Sequence, residues 1–457
     1  MRDEPERRKQ SKSMREPTTV AATPTQAGET RAPWWWVERS VWTERMLSRL
    51  GSTGEQAKVW FSLMDKVSAP ANLQSAFTAV WRNRGSAGVD GQTVGQFDAH
   101  AEAELARWHE QLRGGTYRPH PARRVWIPKP GSSEQRPLGI PAVRDRVVQS
   151  ALRHVVEPIF ETEFAEHSYG FRPGRGCKDA LRRVDALLQS GHVWVVDADL
   201  KSYFDTIPHD RLMALVKERI ADGRVLALVE SYLRAGVLEE LKGWQPTGRG
   251  TPQGAVISPL LANLYLNPLD HLMEKAGWAM VRYADDFVIL CRTQAEAHTA
   301  LEQVRAWMAE AGLTLHPTKT RIVDASAKGG FDFLGYHFER GMKWPRAKSL
   351  DKLRERMRTK TRRMDGRSLK EIIRDVNRSL SGWYEYFQHS KSNVFTSVDG
   401  WVRMRLRSLL RWRQGKKGRG RGRDHQQWTN DWFAKKGLFS LENAHHFTVT
   451  ILRLRTH

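Results

Sequence analysis

The sequence predicts an α+β fold in which helices precede and follow a small antiparallel sheet that carries acidic residues. Tyr283-Ala284-Asp285-Asp286 lies between two apolar runs, residues 279–281 and 287–290, as is typical of a strand, an acidic turn and a second strand. A third apolar run, residues 194–196, ends in an acidic segment that contains Asp199. Apolar residues then recur with helical spacing on both sides of these runs, at 151–160 and at 369–387.

The two acidic segments predict a cation site. Neighbouring carboxylates repel one another, and burying them between strands costs several kcal/mol unless a positive group compensates them. Asp199 is expected to meet Asp285 in space, although 86 positions separate them. Two Mg²⁺ ions, held about 3.5–4 Å apart by shared carboxylates, are the usual device for in-line phosphoryl transfer. For either segment alone, a solvated acidic turn is the alternative interpretation.

The composition favours a nucleic-acid partner. The 457 residues carry a formal net charge of +23 and have a pI near 10.2, which attracts phosphate polymers. Between Lys343 and Arg423 there are 25 basic and 7 acidic residues, which concentrates most of the excess late in the chain. Tryptophans and tyrosines are interspersed there, and such rings also stack on unpaired bases.

The other composition signals exclude several classes of protein. The only two cysteines, Cys177 and Cys291, provide neither a disulfide framework nor a Cys-rich zinc site. No apolar run is long enough to cross a bilayer, so we expect a cytoplasmic protein without a membrane partner. Residues 1–33 are polar and charged, which predicts a disordered tail, and ordered structure is expected to begin at Trp34–Trp36.

Nine sequence blocks in order resemble the reverse transcriptases and maturases encoded by group II introns. The resemblance extends from about Asn72 to His457. The blocks are residues 83–91, 127–141, 144–149, 168–175, 194–205, 251–261, 283–286, 313–320 and 333–336. One short motif would be weak support, whereas nine in family order are specific.

This resemblance implies a right-hand polymerase fold with fingers, a palm that contains the antiparallel sheet, and a helical thumb. The expected regions are a tail at 1–33, a helical N-terminal extension at 34–71, fingers at 72–190, a palm at 191–340, a thumb or maturase domain at 341–412 and a basic C-terminal DNA- and RNA-binding region at 413–457. The implied activity is RNA-directed DNA polymerisation, together with maturase support of intron splicing and mobility.

The resemblance also implies roles for particular residues. Asp199, Asp285 and Asp286 would hold the two Mg²⁺ ions, and Lys319 would protonate the leaving pyrophosphate. The incoming nucleotide would be contacted by Lys129, Arg136, Gln253 and Phe204, the last as a steric gate against a ribose 2′-hydroxyl. Phe333, Leu334 and Gly335 would form the primer grip.

Arginines are the expected RNA contacts. The block at 168–175 contributes Arg172 and Arg175. A predicted helix adds five more cations, which are too numerous to be explained by pairing with the sparse local acids. They are Arg403, Arg405, Arg407, Arg411 and Arg413. A solvated helix that aids solubility is the alternative.

The implied partners are a group II intron RNA, an RNA template with a DNA primer, target DNA and deoxynucleoside triphosphates. The chain departs from the fullest family pattern because the cysteine pairs of a C-terminal zinc endonuclease are absent. Two other functions stay open: a reverse transcriptase adopted by the host for repair or defence, and an RNA-binding splicing factor with an inactive polymerase. The oligomeric state is not predicted.

Overall fold

A computed structural model describes residues 34–51, 59–128 and 135–455, with backbone alone at 451–455. The predicted disordered tail at 1–33 and the predicted nucleotide-binding residue Lys129 therefore lie outside the described residues. The described residues fall into two units, with the boundary between Trp36 and Val37. Within the first unit, the Trp34 and Trp36 rings lie 6.0 Å apart, centroid to centroid.

The second unit alternates helices with short strands, as an α+β chain does. The helices are α1 (Glu44–Gly51), α2 (Met64–Ser68), α3 (Pro70–Asn83), α4 (Val94–Asp98), α5 (Ala101–Arg113), α6 (Val143–Glu161), α7 (Cys177–Gln189), α8 (Tyr203–Thr206), α9 (His209–Lys217), α10 (Gly223–Arg234), α11 (Ser258–Lys275), α12 (Gln294–Glu310), α13 (Ala347–Lys360), α14 (Leu369–Phe387), α15 (Ser392–Arg413), α16 (Arg423–Gln427), α17 (Asn430–Lys435) and α18 (Leu441–Arg455). The strands are β1 (Ala122–Pro128), β2 (Gln135–Ile140), β3 (Trp194–Asp199), β4 (Val237–Glu239), β5 (Gly243–Gln245), β6 (Ala279–Tyr283), β7 (Asp286–Cys291), β8 (Arg321–Asp324), β9 (Phe331–Phe333), β10 (Tyr336–Glu339) and β11 (Met342–Pro345). Among the described residues, none of these helices combines the length and apolar composition that crossing a bilayer requires.

The central sheet has the order β6-β7-β3-β8, and all of its pairs are antiparallel. The predicted strand, acidic turn and strand are therefore confirmed as β6, a two-residue turn and β7. Side chains alternate between the two faces of a strand. One face presents Val195, Val288 and Leu290 to a core built with α7 and the β9–β10 hairpin. The opposite face is contacted by α11 and α12.

A second sheet lies earlier in the chain, with the order β2-β1-β4-β5. Its β1–β2 hairpin is antiparallel and β4 joins β1 in parallel. Beside it, α6 continues through Pro158 to Glu161. Proline removes the amide that would bond to the carbonyl four residues earlier. That carbonyl, on His154, instead accepts a hydrogen bond from the Trp42 indole at 2.9 Å, which explains why the helix continues.

The helices α13 to α18 form a helical region with its own core. α14 begins at a capping box in which Ser368 and Glu371 bond reciprocally. Its predicted apolar stripe is confirmed, since Ile372, Val376 and Leu380 are buried. They pack with residues of α13, α15 and the segment 428–441.

The arginines of α15 bond mainly to protein groups within this helical region. Arg407 is 4% exposed and donates to the Trp428 carbonyl at 2.8 Å and to Asn430 at 3.0 Å, which leaves little of its guanidinium for the RNA contact that the sequence predicts. The other arginines also bond to protein groups. Arg403 lies 3.9 Å from Asp399, and Arg405 donates to Thr361. Arg411 donates to Asp424 and to the Lys417 carbonyl, and Arg413 donates to the carbonyls of Asp365 and Arg367. Counting local acids was misleading because most of the acceptors are backbone carbonyls.

Arg407→Met is expected to destabilise the helical region by about 2–4 kcal/mol, because two acceptors at a buried site lose their donor. The change would be measured as a lower urea midpoint in tryptophan fluorescence. Arg419→Met is the control, since Arg419 is exposed and its replacement should leave the midpoint unchanged. Equal midpoints for the two variants would contradict the bracing role of Arg407.

Candidate active site

Three carboxylates converge at one end of the central sheet. The sequence predicts a meeting of Asp199 with Asp285, whereas the register places Asp199 directly across from Asp286, with Asp285 one residue earlier in the turn. Asp199 and Asp286 share the face of Val195 and Val288, because residues two apart on a strand point the same way. The core covers that face farther along the strands, so the acids mark its uncovered end.

The acids repel one another. The pKa of Asp286 is raised to about 7, first by burial and then by the negative charges of Asp197, Asp285 and Asp199. The pKa of Asp285 is also raised, mainly by burial and further by Asp199. Asp286 is nevertheless exposed to solvent, and water there screens part of the repulsion.

Several cations approach these acids from different elements. The Lys319 Nζ lies 2.6 Å from Asp199 Oδ2, and Arg321 donates to Asp197 at 3.2 Å. Arg346 opposes the rise in the pKa of Asp286, and Arg136 opposes that of Asp285. The acids are thus surrounded by positive charge from three segments of the chain: residues 319–321, Arg346 and Arg136.

Backbone bonds place Lys319. The Asp199 carbonyl accepts from the His316 amide at 2.7 Å, and the Thr314 carbonyl accepts from the Lys201 amide at 2.9 Å. These two bonds attach the loop that carries Lys319 to the end of β3. Apart from the family resemblance, the sequence offers no signal for this proximity.

The side chains at this end of the sheet suit a hard divalent cation. Carboxylate oxygens are the ligands that Mg²⁺ prefers, and repulsion among the acids is what a divalent cation would relieve. Within the described part of the chain, no three histidine, cysteine or acidic side chains are close enough together to enclose an ion as they stand. The donor chemistry therefore fits, and closing around an ion would require the carboxylates to rotate.

The nucleotide contacts predicted from the sequence are tied to one another by backbone hydrogen bonds. The half-buried Phe204 offers its carbonyl to the Thr251 amide at 2.7 Å, and the Gln253 carbonyl accepts from the Gly139 amide of β2 at 2.7 Å. Phe204 also packs edge-on against Tyr203, with ring centroids 5.6 Å apart. The loop at 250–254 therefore joins β2 of the second sheet to the segment that follows Asp199.

Gly254 allows this close approach. Its φ is +107°, and a Cβ there would lie 2.6 Å from the Gly139 carbonyl oxygen and 2.8 Å from Leu138 Cδ1. Only glycine adopts such a backbone without strain. The position of Gln253 therefore depends on the absence of a side chain at the next residue.

The predicted primer grip lies between the central sheet and the helical region. The Leu334 carbonyl accepts from the Tyr386 hydroxyl at 2.6 Å, and the Gly335 carbonyl accepts from the Arg346 amide at 3.0 Å. Phe333 is fully buried in the core, so its ring is not available to nucleic acid. A contact with a primer is left to the turn of Leu334 and Gly335.

Arg172 is buried, which leaves little of its side chain for the RNA contact that the sequence predicts. It is 6% exposed, forms an ion pair with Glu161 at 2.8 Å and donates to the carbonyls of Ala165 and Ser168. Arg175 is less buried and lies over the Tyr169 ring, 5.9 Å from its centroid. A block of arginines that resembles a binding motif can thus serve the loop's own structure.

Two arginines near the acids were missed from the sequence alone. Arg282 immediately precedes the acidic turn and is fully buried. Its signal was a charge within the apolar run that forms β6. Arg346 precedes α13 and affects Asp286, and no local pattern distinguishes it from the many cations around it.

Comparison with known families gives two matches. Residues 127–338 match the family of the reverse transcriptase (RNA-dependent DNA polymerase), and residues 350–428 match the group II intron maturase-specific domain.

The chain is 34% identical to protein YkfC of Escherichia coli over an alignment of 338 residues, which covers 65% of this chain and 87% of YkfC. It is 36% identical to the group II intron-encoded protein LtrA of Lactococcus lactis over 232 residues, 50% of this chain and 38% of LtrA. Among solved structures, a partial Cas6-RT-Cas1–Cas2 complex matches with 24% identity and a TM-score of 0.36, over 55% of this chain and 41% of that one.

Gly254→Ala is expected to lower the midpoint of thermal unfolding, since the left-handed backbone costs about 1–3 kcal/mol for a residue with a side chain, before any clash. Gly95→Ala is the matched control, because a Cβ added at Gly95 would have nothing within 4 Å and the φ of this residue is not positive. A midpoint for Gly254→Ala that equals or exceeds that of the control would show that the close approach to β2 is not required.

Proposed function

This chain belongs to the family of group II intron-encoded reverse transcriptases and maturases, and we propose that Asp199, Asp285 and Asp286 carry its RNA-directed DNA polymerase reaction. The observation that supports this assignment is the register that sets Asp199 across from Asp286 at the uncovered end of the central sheet. The raised pKa values of Asp285 and Asp286 accord with carboxylates that share a cation site.

The metal chemistry is part of the proposal. Reverse transcriptases generally depend on divalent metal ions, and we propose two Mg²⁺ ions held by Asp199, Asp285 and Asp286. When bound, these ions supply positive charge that activates the primer 3′-hydroxyl and neutralises the leaving pyrophosphate.

The protein's own residues bind the substrates and move one proton. The 3′-hydroxyl of a DNA primer, paired to an RNA template, loses its proton to water, and its oxygen forms a bond to the α-phosphorus of a deoxynucleotide as the bond to the pyrophosphate oxygen breaks. Arg136 would hold the triphosphate with its planar guanidinium, and Lys129 would add a second charge. Lys319 Nζ would give a proton to the departing pyrophosphate.

Selection of the nucleotide would depend on the loop at 250–254 and on α8. Phe204 would press on the sugar where a 2′-hydroxyl would otherwise fit, and Gln253 would contact the new base pair. Phe204 bonds to Thr251, and Gln253 in the same loop bonds to β2. Closure of the second sheet on a nucleotide would therefore move Phe204 and Gln253 together. Leu334 and Gly335 would hold the primer end.

The maturase function uses the helical region. Residues 350–428 match the maturase-specific domain, and the chain's excess positive charge is concentrated there. We propose that α13 presents the intron RNA contact, because exposed cations recur at every fourth position at Lys348, Lys352 and Arg356. This stripe replaces the α15 arginines, whose donors are largely used within the protein. Target DNA would use the same basic surface and the C-terminal region, and the reaction would take place in the cytosol.

Asp285→Asn is expected to abolish complementary-DNA synthesis while leaving the fold intact, because a charged ligand is lost where transition-state charge develops. The measurement is primer extension on an RNA template in Mg²⁺, with circular dichroism as the check on folding. Asp210→Asn serves as the control, since Asp210 is an exposed acid on α9 and should retain full activity. Normal extension by the Asp285 variant would refute the assignment.

Replacing Lys348, Lys352 and Arg356 with glutamine should weaken RNA binding. The slope of log affinity against log salt should become shallower by up to about 0.7–0.9 for each of the three cations, because each phosphate contact releases a counterion. The control removes equal charge from exposed positions on other helices: Arg107, Lys217 and Lys275. Binding and intron splicing would be measured for both triple variants. If the control weakens binding as much as the α13 variant does, net charge and not the α13 stripe is responsible.

A further inference from the structure

The acidic turn has an unusual backbone. Tyr283 pairs with Asp286, so the hairpin turn consists of Ala284 and Asp285. Ala284 has a φ of +59°, a left-handed conformation at the first turn position, where hairpins normally carry glycine. For a residue with a Cβ, such a conformation costs about 1–3 kcal/mol and persists only when the surroundings enforce it.

Arg282 holds this turn from within the protein. Its side chain is 0% exposed, and Nη1 donates to the Ala284 carbonyl at 2.9 Å and to Asn263 Oδ1 at 3.0 Å. Its Nε and Nη2 donate to the two carboxylate oxygens of Asp270 on α11, the first at 2.7 Å. The guanidinium is therefore fixed by α11 and bonds to the one residue of the turn whose backbone is strained.

A second contact presses on the same residue from the loop before α7. A Cβ on Gly170 would lie 2.3 Å from the Ala284 amide nitrogen, so the two backbones touch. The Gly170 carbonyl accepts from Asn263 Nδ2 at 2.7 Å. Asn263 thus links Gly170 to Arg282, and together the three residues surround Ala284.

Arg282 lies on the face of the central sheet opposite to Asp199 and Asp286. Side chains alternate along β6, and Arg282 points towards α11 whereas Asp286 points to the opposite face with Val288. Any effect of Arg282 on the reaction must therefore act through the turn. This separates it from the acids themselves.

Stability alone does not account for a buried pair of this kind. Removing Arg282 and Asp270 from water is costly, and well-packed apolar residues are often as stabilising as a buried ion pair. A neutral residue, however, would not reach the Ala284 carbonyl with a charge-assisted bond. The function of the turn therefore explains the arginine better than stability does.

We propose that Arg282 is a positioning residue for polymerisation, which fixes the left-handed Ala284 and thereby sets Asp285 and Asp286 against Asp199. The proposal rests on the proposed function, since it assumes that these acids carry the reaction. Its chemical requirement is a side chain that donates at once to both carboxylate oxygens of Asp270, to Asn263 Oδ1 and to the Ala284 carbonyl. A guanidinium has enough N–H donors for these four acceptors, whereas an ammonium, with three, does not.

Steady-state primer extension with Arg282→Met and Arg282→Lys tests this directly. Displacing catalytic groups by about 1 Å can cost on the order of 100-fold in rate. We therefore expect kcat to fall by about 100-fold for Arg282→Met, and by about tenfold or more for Arg282→Lys. The KM for the deoxynucleotide and the Kd for template–primer should stay within about twofold, because no substrate contact is removed.

Two further variants keep the test decisive if Arg282→Met folds poorly. Gly170→Ala leaves the ion pair intact and pushes on Ala284 with a methyl group, so it should also lower kcat with little change in KM. Asn72→Ala is the stability control, since Asn72 is buried and donates to the Lys66 and Ala151 carbonyls, away from the turn. It should lower the melting temperature and leave kcat unchanged.

The outcomes separate this inference from the proposed function. A kcat loss in Arg282→Met and Gly170→Ala without a matching loss in Asn72→Ala supports the positioning role. Near-normal kcat in Arg282→Met, or its full recovery in Arg282→Lys, overturns it. Asp285→Asn is measured beside them: if that variant polymerises normally, the proposed function fails, whereas an inactive Asp285→Asn with an active Arg282→Met refutes the inference alone.

Discussion

The antiparallel register of β3 with β7 is the constraint on which the site depends. It pairs Asp199 with Asp286 across a chain separation that no local interaction could bridge. A shift of one residue would turn every side chain of one strand to the other face, which would bury the acids against α11 and α12. The apolar residues of the same two strands, Val195 and Val288 among them, fix the register by packing on the core. Hydrophobic packing therefore determines where the charges lie.

The rest of the structure surrounds this pair with groups that act on it from outside the sheet. Backbone hydrogen bonds hold the loop after α12 so that Lys319 contacts Asp199, and the loop at 250–254 connects Phe204 to the second sheet. The turn of Leu334 and Gly335 is bonded to both Tyr386 and Arg346, so it couples the helical region to the acid end of the sheet. Each connection uses main-chain carbonyls, which any sequence provides. Such connections are therefore invisible to motif reasoning.

Apolar patterns are visible in the sequence, whereas main-chain connections are not, and this contrast explains which features could be predicted. Apolar periodicity correctly gave β6, β7 and the buried stripe of α14, because burial imposes the pattern. It gave neither the continuation of α6 through Pro158, which depends on the distant Trp42, nor the exact partner of Asp199. Charge was the least reliable guide. The sequence predicts RNA contacts for Arg172, from its place in the block at 168–175, and for Arg407, from the surplus of cations along its helix. Both side chains are buried and bonded to backbone carbonyls. A cation's sequence neighbours do not reveal whether its donors are already used.

The central claim, that Asp199, Asp285 and Asp286 together hold the catalytic cations, is tested most directly by anomalous diffraction. Crystals of the full chain with an RNA template, a DNA primer and a non-hydrolysable deoxynucleotide would be soaked in Mn²⁺, whose position is identified by its anomalous signal. The account predicts anomalous peaks within coordination distance of the three carboxylates, which vanish in Asp199→Asn. Peaks elsewhere, or peaks that persist unchanged in that variant, would contradict it.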